Sequence, residues 1–263
     1  QMLEMLETFD IRSMGFGSAD SLMAQVEAKR LAFADRAKGY ADLDFADIDP
    51  GVFLKEGYNA GRARLIDLDK AMTSVKAGME FPEADAKLKD GDTTYLTVAD
   101  ENGMMVSLIQ SNYRGMGSGL VADGMGFMFQ DRGQLFSLDP AHPNVWEPGK
   151  RPFHTIIPAF AFRKDMPGCQ VRAVPIEMAC PYEPWLSFGL MGGGMQPQGH
   201  VQIILNLVDF DMGLQEAGDA ARWEHNGGCE PTNDLVDEAC EADIGVVSLE
   251  SGIPPETRAE LER

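Results

Sequence analysis

The sequence contains no apolar run near the length of a membrane span, and it is poor in positive charge. Its longest apolar stretches, 156–162 and 201–208, have the length of a strand or a buried helix, whereas a membrane-spanning helix needs about 20 apolar residues. Lys and Arg number 22 against 42 Asp and Glu, which gives a net charge of −20. Because such a surface repels nucleic acid and anionic lipid, we expect neither as a partner.

Motifs for metal and nucleotide binding are absent too. None of the four cysteines belongs to a Cys-x-x-Cys motif, and the four histidines show no ligand spacing, so the sequence predicts no metal site and no cofactor. The cysteines instead form two pairs, each separated by eleven residues: Cys169 with Cys180, and Cys229 with Cys240. This spacing is compatible with two local disulfides and equally with free buried thiols.

The composition of the 263 residues, 44% hydrophobic and 24% charged, is that of a folded protein with a sizeable core. Gln1 falls inside a pattern typical of an amphipathic helix, and no basic leader precedes it. We therefore expect the sequence to be part of a longer protein, and it indicates no cellular compartment.

The first 90 residues predict helices. Apolar residues recur on one face over 2–9, and Ser18 followed by Asp20 predicts the N-cap of an amphipathic helix over 22–38. One or two short helices are expected within 51–70. The stretch 74–92 is rich in Gly, Pro, Lys and Asp, which indicates an exposed linker.

From Thr93 onward the pattern changes to strands. The alternation over 93–100 and 104–110, on either side of Asn102-Gly103, predicts a β-hairpin. Further elements are predicted as strands at 126–130, 154–163, 186–191 and 244–249, and as helices at 201–210 and 214–223. This order indicates a layered α+β body in which helices pack over sheets.

Three segments have residue types suited to catalysis. A threonine such as Thr93 becomes a competent nucleophile if the chain is cut before it, because the new α-amine can act as its base. The backbone N–H groups of Gly192–Gly194 could surround a substrate oxygen. Lys150, Arg151, His154 and Thr155 form a patch of cations and hydroxyls that suits a carboxylate.

Each segment also has a plain structural interpretation. Thr93 and Thr94 are typical of a strand start, the glycines are typical of a tight turn, and the basic patch is typical of a surface turn. The residues around Thr93 favour the structural interpretation when they are considered alone.

Taken in order, these segments resemble the γ-glutamyltranspeptidase family. Residues 15–20 and 27–36 are similar to the end of the family's large subunit, and 93–107 is similar to the start of its small subunit. Five later segments continue the likeness: 136–137, 143–144, 148–152, the glycine loop and 220–223. The resemblance covers about residues 1–225.

This resemblance implies a four-layer αββα sandwich of the N-terminal-nucleophile hydrolases, made as one precursor that cleaves itself. Residues 1–92 would be the C-terminal part of the large subunit and 93–263 the small subunit, and the two would remain together as a heterodimer. The substrate would be a small γ-glutamyl or related acyl amide, with hydrolase or acyltransferase activity.

The resemblance also assigns roles to residues. The cleaved bond would be Asp92–Thr93, with Thr93 as the nucleophile and its α-amine as the general base. Ser111 falls where the family has a threonine hydroxyl that supports this amine. The family's paired glycines, which supply oxyanion N–H groups, fall on Gly193-Gly194 or on Gly194-Met195.

Several positions depart from the family's pattern. A histidine after the Thr-Thr pair is Tyr95, and an asparagine that contacts the glutamyl amine is Tyr113. The acidic pair that holds the substrate ammonium is Gln134-Leu135, and a nearby glutamine or glutamate is Arg132. The serine pair that binds the α-carboxylate is His154-Thr155. The segment after Asn144 is short, which implies that the family's lid is missing.

These departures affect the expected substrate. Burying an ammonium against Leu135 and Arg132 would cost several kcal/mol. We therefore expect an acyl group without the amine, such as a glutaryl group whose distal carboxylate is held by Arg132, as in the cephalosporin-acylase-like members of the family. The alternatives are an ordinary γ-glutamyl transferase or glutathione hydrolase, and a non-catalytic member that binds an amino-acid-like ligand.

Overall fold

The computed structural model describes residues 1–79, 92–163, 183–229 and 238–263, together with the backbone of 172–173 and 176–177. The chain divides into two compact units. The first unit consists of 1–88, 134–153 and 197–263, and the second consists of 89–133 and 154–196.

Along the described chain the helices are α1 (Met2–Leu6), α2 (Ile11–Met14), α3 (Ala19–Gly39), α4 (Glu56–Ala63), α5 (Met195–Val208), α6 (Leu214–Asp219), α7 (Glu238–Glu241) and α8 (Pro255–Leu261). Two 3₁₀ turns span Pro50–Leu54 and Arg132–Leu135. The strands are β1 (Asp92–Ala99), β2 (Met105–Tyr113), β3 (Ala159–Arg163), β4 (Arg172–Ala173), β5 (Ile176–Glu177), β6 (Glu183–Phe188), β7 (Trp223–Asn226) and β8 (Val246–Leu249). None of the described helices is long and apolar enough to cross a bilayer.

Helix α3 is the central element of the first unit. It begins as predicted, because the Ser18 hydroxyl caps it by accepting a hydrogen bond from the N–H of Ser21 at 3.2 Å. The helix predicted over 22–38 is present, but it is not amphipathic in its burial: 17 of its 21 residues are buried, charged ones included. Helices α1, α2 and α8 and strand β7 pack around it. The buried charges are therefore paired, as Glu27 is with Arg30 at 2.7 Å.

The core of the first unit joins residues from both ends of the chain. Leu22 and Leu31 of α3 share one apolar cluster with Leu205, Trp223 and Ile253. A disulfide between Cys229 and Cys240 lies in a second buried cluster with Ala37. This disulfide confirms one of the two cysteine pairs, whereas Cys169 and Cys180 lie outside the described residues.

The predicted hairpin forms the main ladder of the second unit. Strands β1 and β2 are antiparallel, and the register shifts between Asp92, which faces Tyr113, and Thr93, which faces Ser111. Strand β3 pairs with β6 in the same unit, in an antiparallel ladder. The described strands thus form two-stranded ladders, which confirms the α+β class, and the four-layer sandwich stays a prediction.

Some predicted elements differ from the structure. The strand expected at 126–130 is wrong: a single bridge joins Val121 to Met128 there, because five glycines between 115 and 126 have positive φ and interrupt an extended backbone. The helix expected at 214–223 ends at Asp219, and Trp223 begins β7. In the part of the expected linker that the structure describes, residues 74, 76, 78 and 79 are exposed, whereas Val75 is buried and its N–H donates to the carbonyl of Glu241; 80–91 lies outside the described residues.

Candidate active site

The hairpin register brings the two predicted hydroxyls together. Thr93 lies opposite Ser111, and Thr93 Oγ1 is 3.1 Å from Ser111 Oγ, within hydrogen-bond distance. The Thr93 side chain is 6% exposed. The register shift leaves Asn112 as an extra residue on β2, which is a β-bulge, a feature that often re-aims a side chain beside a functional site.

Tyr113 ends β2 in a conformation that few side chains adopt. Its φ is +76°, in the left-handed region, which is unfavourable for an aromatic residue and stores on the order of 1–3 kcal/mol. Its N–H donates to Ser111 Oγ at 2.9 Å, and its ring is buried 4.9 Å from the guanidinium carbon of Arg132. The strained backbone thus places a donor on Ser111.

Arg132 connects Ser111 to Thr155. Its guanidinium donates through Nη1 to Thr155 Oγ1 at 2.6 Å and through Nη2 to Ser111 Oγ at 3.3 Å. The glycine-rich segment that follows β2 ends next to that strand, because the N–H of Asp131 donates to the carbonyl of Asn112 at 3.2 Å. Arg132 is 3% exposed, and burial lowers the pKa of its guanidinium below the ordinary value.

His154 precedes Thr155 and is uncharged at neutral pH. Desolvation by surrounding protein atoms, and then the charge of Arg132, lower the pKa of His154 to about 4, although the residue is exposed to solvent. Its Nδ1 accepts a hydrogen bond from the N–H of Ile156 at 3.3 Å. His154 therefore adds no positive charge to the site.

The glycine loop lies in the same unit, directly before α5. Gly192 and Gly193 have positive φ, at +110° and +55°, and their carbonyls accept hydrogen bonds from the N–H groups of Met195 and Gln196. A Cβ at Gly194 would meet no atom within 4 Å, so the space beside it is open. The loop is a tight turn, as one interpretation predicted, and it is also open enough to admit a ligand atom.

Three other residues predicted for the site belong to the first unit. Leu135 belongs to the first unit, where it is buried and its carbonyl accepts from Asn144 Nδ2 at 2.7 Å. Within that unit Lys150 pairs with Glu147. Arg151 binds Asp42 and holds the pKa of that carboxyl well below its usual range. The two cations of the basic patch are thus already paired with acidic side chains.

Two features of the cluster were not predicted. The link between Arg132 and Thr155 spans 23 residues, and no local motif marks it. The Tyr95 hydroxyl is hydrogen-bonded to Ser107 Oγ at 2.8 Å, and Gly189 leaves room for the Tyr95 ring.

The described residues hold no group of three or more His, Cys, Asp or Glu side chains suited to a metal ion.

Known proteins place the chain in a family. The family model described as gamma-glutamyltranspeptidase matches residues 1–263. The glutathione hydrolase-like YwrD proenzyme of Bacillus subtilis (strain 168) is 33% identical over 221 residues, which are 84% of this chain and 37% of that protein. The acylase ACY 1 proenzyme of Pseudomonas sp. (strain SE83) is 32% identical over 239 residues, 91% of this chain and 38% of that protein.

A solved structure supports the same assignment. The crystal structure of cephalosporin acylase from Bacillus halodurans is 33% identical, with a TM-score of 0.73, over 100% of this chain and 41% of that chain. The chain therefore spans about two fifths of the length of these relatives. By the family match over its whole length and by these relatives, the chain belongs to the gamma-glutamyltranspeptidase family.

Proposed function

We propose that Thr93 is the nucleophile of a self-processing amidohydrolase, which cuts its own chain between Asp92 and Thr93 and then hydrolyses an acyl amide. The observation that carries this proposal is the buried Thr93 hydroxyl held 3.1 Å from Ser111, at the first position of the hairpin after the register shift. The names of the relatives, which include proenzymes of a glutathione hydrolase type and of an acylase, support it.

Self-cleavage would begin with attack of Thr93 Oγ1 on the carbonyl carbon of Asp92. The C–N bond breaks, the hydroxyl proton passes to the departing nitrogen, and an ester joins Asp92 to Oγ1. Water then hydrolyses the ester, which restores the hydroxyl and leaves a free α-amine on Thr93. In turnover this amine accepts the Oγ1 proton while the oxygen attacks the substrate carbonyl.

The remaining groups would hold the substrate during this reaction. Backbone N–H groups of Gly193 and Gly194 would stabilise the oxyanion of the tetrahedral intermediate, since such donors act best where they are already oriented. The amine that leaves takes the proton from the α-amine, and water releases the acyl group from Oγ1.

The two product chains would stay together after cleavage. Leu31 precedes the cut, whereas Leu205 and Trp223 follow it, and all three share one buried cluster. Separating chains 1–92 and 93–263 would expose this cluster to water, which is unfavourable. The proposed subunits are therefore expected to remain a heterodimer.

The acyl group would carry a carboxylate. Arg132 is buried, and none of the described residues forms an ion pair with it, so two hydroxyls are its hydrogen-bond acceptors. A guanidinium has five N–H donors, so it can bind a carboxylate as well. A glutaryl-type group would bring a carboxylate to these donors, whereas the ammonium of a γ-glutamyl group would be repelled.

Intact-mass analysis of Thr93 variants tests the nucleophile. Wild type is expected to yield two chains, the second with Thr93 at its N-terminus. Thr93→Ala should abolish both cleavage and turnover, and Thr93→Ser should keep part of each because it retains a hydroxyl and an amine. If Thr93→Ala still matures into two chains, another residue is the nucleophile.

A further inference from the structure

The guanidinium of Arg132 lies close to the proposed nucleophile. Only the Ser111 hydroxyl separates the two: Thr93 Oγ1 is 3.1 Å from Ser111 Oγ, which is 3.3 Å from Arg132 Nη2. Thr155 Oγ1, at 2.6 Å from Nη1, anchors the other arm of the guanidinium. All four side chains lie in the second unit, three of them more than nine-tenths buried.

Ser111 is poorly placed to take the proton of Thr93 for itself. Ser111 Oγ accepts from the Thr93 hydroxyl at 3.1 Å, and the N–H of Tyr113 at 2.9 Å and Arg132 Nη2 at 3.3 Å donate to the same oxygen. Donors on the oxygen, one of them charged, make it a weaker proton acceptor. Ser111 therefore orients Thr93, and the base must be another group, namely the α-amine that cleavage creates.

We propose that Arg132 is a positioning residue for the nucleophile: it fixes the Ser111 hydroxyl that orients Thr93, and its charge keeps the new α-amine of Thr93 in the neutral form that can accept a proton. This inference rests on the proposed function, because the amine exists only after cleavage. It assigns Arg132 a role that is independent of whether the guanidinium also binds the substrate.

The size of the effect follows from the distances. The α-amine lies about 3 Å from Oγ1 of the same residue, so the guanidinium is on the order of 6–9 Å from it. A positive charge at that distance disfavours a second one, and it lowers the pKa of the amine by about one unit in a partly buried site. An amine with an ordinary pKa of about 7.7–8.0 would then be mostly neutral at pH 7.5.

Other charged groups that the structure describes around the site interact with the Arg132 guanidinium. The charge of Asp131 acts to raise the pKa of Arg132 and offsets part of the effect of the guanidinium on the amine. The Asp131 carboxylate accepts the N–H of Arg114 at 3.3 Å, and the Arg114 guanidinium lies 5.5 Å from the Tyr113 ring. His154 is uncharged above a pH of about 4, and Arg132 contributes to that shift. On β6, Glu183 lies opposite Arg163 in the ladder register.

The experiment titrates the Thr93 amine directly, in mature protein without substrate. Acetic anhydride acylates only the neutral amine, so the rate of labelling of the peptide that begins at Thr93, followed by mass spectrometry against pH, reports the pKa. Wild type should titrate about one unit below an ordinary α-amine. Arg132→Gln should raise this value by about one unit, and Arg132→Lys, which keeps the charge, should stay near wild type.

Thr155→Val is the matched control, because it removes an anchor of the guanidinium but leaves its charge. Its amine should titrate within a few tenths of a unit of wild type. The acid limb of kcat/KM should move with the amine in Arg132→Gln, whereas a purely structural role would lower activity equally at every pH.

Each outcome decides the matter. A mature wild type whose amine titrates at the ordinary value overturns the inference, and this result needs no variant. Equal pKa values of the Thr93 amine in wild type and Arg132→Gln overturn the inference as well. If Arg132→Gln fails to mature, the pKa values of the amine in wild type and Arg132→Lys decide. A chain that never exposes Thr93 refutes the proposed function, and the inference falls with it.

Discussion

At the scale of single residues, the oxygen of Ser111 is the point where the candidate site is assembled. It receives Thr93 from β1, a charged donor from Arg132 and the N–H of Tyr113, whose positive φ aims that donor. Removal of the Ser111 hydroxyl would therefore leave Thr93, Arg132 and the N–H of Tyr113 without this hydrogen-bond acceptor.

Ser111→Ala should slow both self-cleavage and turnover by about 10²–10³-fold, because Thr93 loses its orienting partner and two buried donors lose their acceptor. Ser111→Thr keeps the oxygen and should retain most of both rates. The measurements are the rate at which the second chain appears by mass and kcat of the matured protein. Wild-type rates in a folded Ser111→Ala protein would contradict the assignment.

Substrate preference is set at the same scale, by the charge of Arg132. We expect kcat/KM to be roughly ten- to a hundredfold higher for a glutaryl anilide than for the γ-glutamyl analogue. The ammonium of the γ-glutamyl group would lack a charge-assisted contact with an acidic side chain, and Arg132 would repel it. Arg132→Gln should reduce this preference. The ratio of the two substrates cancels any effect of the variant on the nucleophile, which both substrates share.

Leu135→Asp combined with Arg132→Gln should move the preference further toward γ-glutamyl compounds, since it adds the negative charge that an ammonium requires. Leu135 is 2% exposed, so the new carboxyl is buried and folding must be checked by circular dichroism. A wild-type protein that cleaves the γ-glutamyl anilide faster would decide against carboxylate recognition.

At the scale of elements, Tyr95 of β1 packs against Gly189, the residue that directly follows β6. A Cβ on Gly189 would lie 2.5 Å from the Tyr95 ring, and the hydrogen bond to Ser107 holds that ring in place. The absence of a side chain at Gly189 therefore leaves the space that the Tyr95 ring occupies.

Gly189→Ala should lower the free energy of unfolding by about 1–3 kcal/mol, because the ring must move to admit the methyl group. Gly133→Ala is the matched control, as a Cβ there meets no atom within 4 Å. Urea unfolding of both variants measures the difference, and Tyr95→Ser should restore stability to Gly189→Ala. Equal stabilities of the two alanine variants would refute the close contact.

At the scale of the whole molecule, several histidines are held neutral by burial. His225 is 1% exposed, its Nδ1 lies 2.9 Å from the Lys29 ammonium, and its Nε2 lies 2.8 Å from the Ile244 carbonyl. Burial, and then the charge of Lys29, lower the pKa of His225 to about 4, and burial lowers that of His200 to about 4 as well. The folded protein therefore resists protonation at these groups.

Acid should destabilise the protein before its carboxylates titrate. The pKa of His225 in the folded protein is below its unfolded value of about 6.5, so its contribution to the free energy of unfolding is complete above pH 6.5. This contribution, up to about 3 kcal/mol, is lost as the pH falls from 6.5 to about 4. Lys29→Met removes the facing ammonium, so its Tm should fall less steeply between pH 7 and 4.5 than that of wild type. Parallel Tm curves would show that Lys29 does not act on His225.

The sequence by itself determined the local elements and the order of the family motifs. The hairpin from Thr93 onward and the Ser18 cap were predicted correctly, because alternation, an Asn-Gly turn and a capping serine act over a few neighbouring residues. The two hydroxyls at Thr93 and Ser111 followed from the family motifs, and the ladder register places them opposite each other.

Only the tertiary structure decided which distant groups meet. Arg132 reaches Ser111 and Thr155 across 21 and 23 residues, and the charges of α3 are buried because elements from both chain ends surround it. Such contacts depend on how loops close and how several elements pack at once, and no local pattern records that. The same packing leaves the Arg132 guanidinium with hydroxyl partners beside Thr93, which is the feature that distinguishes this site.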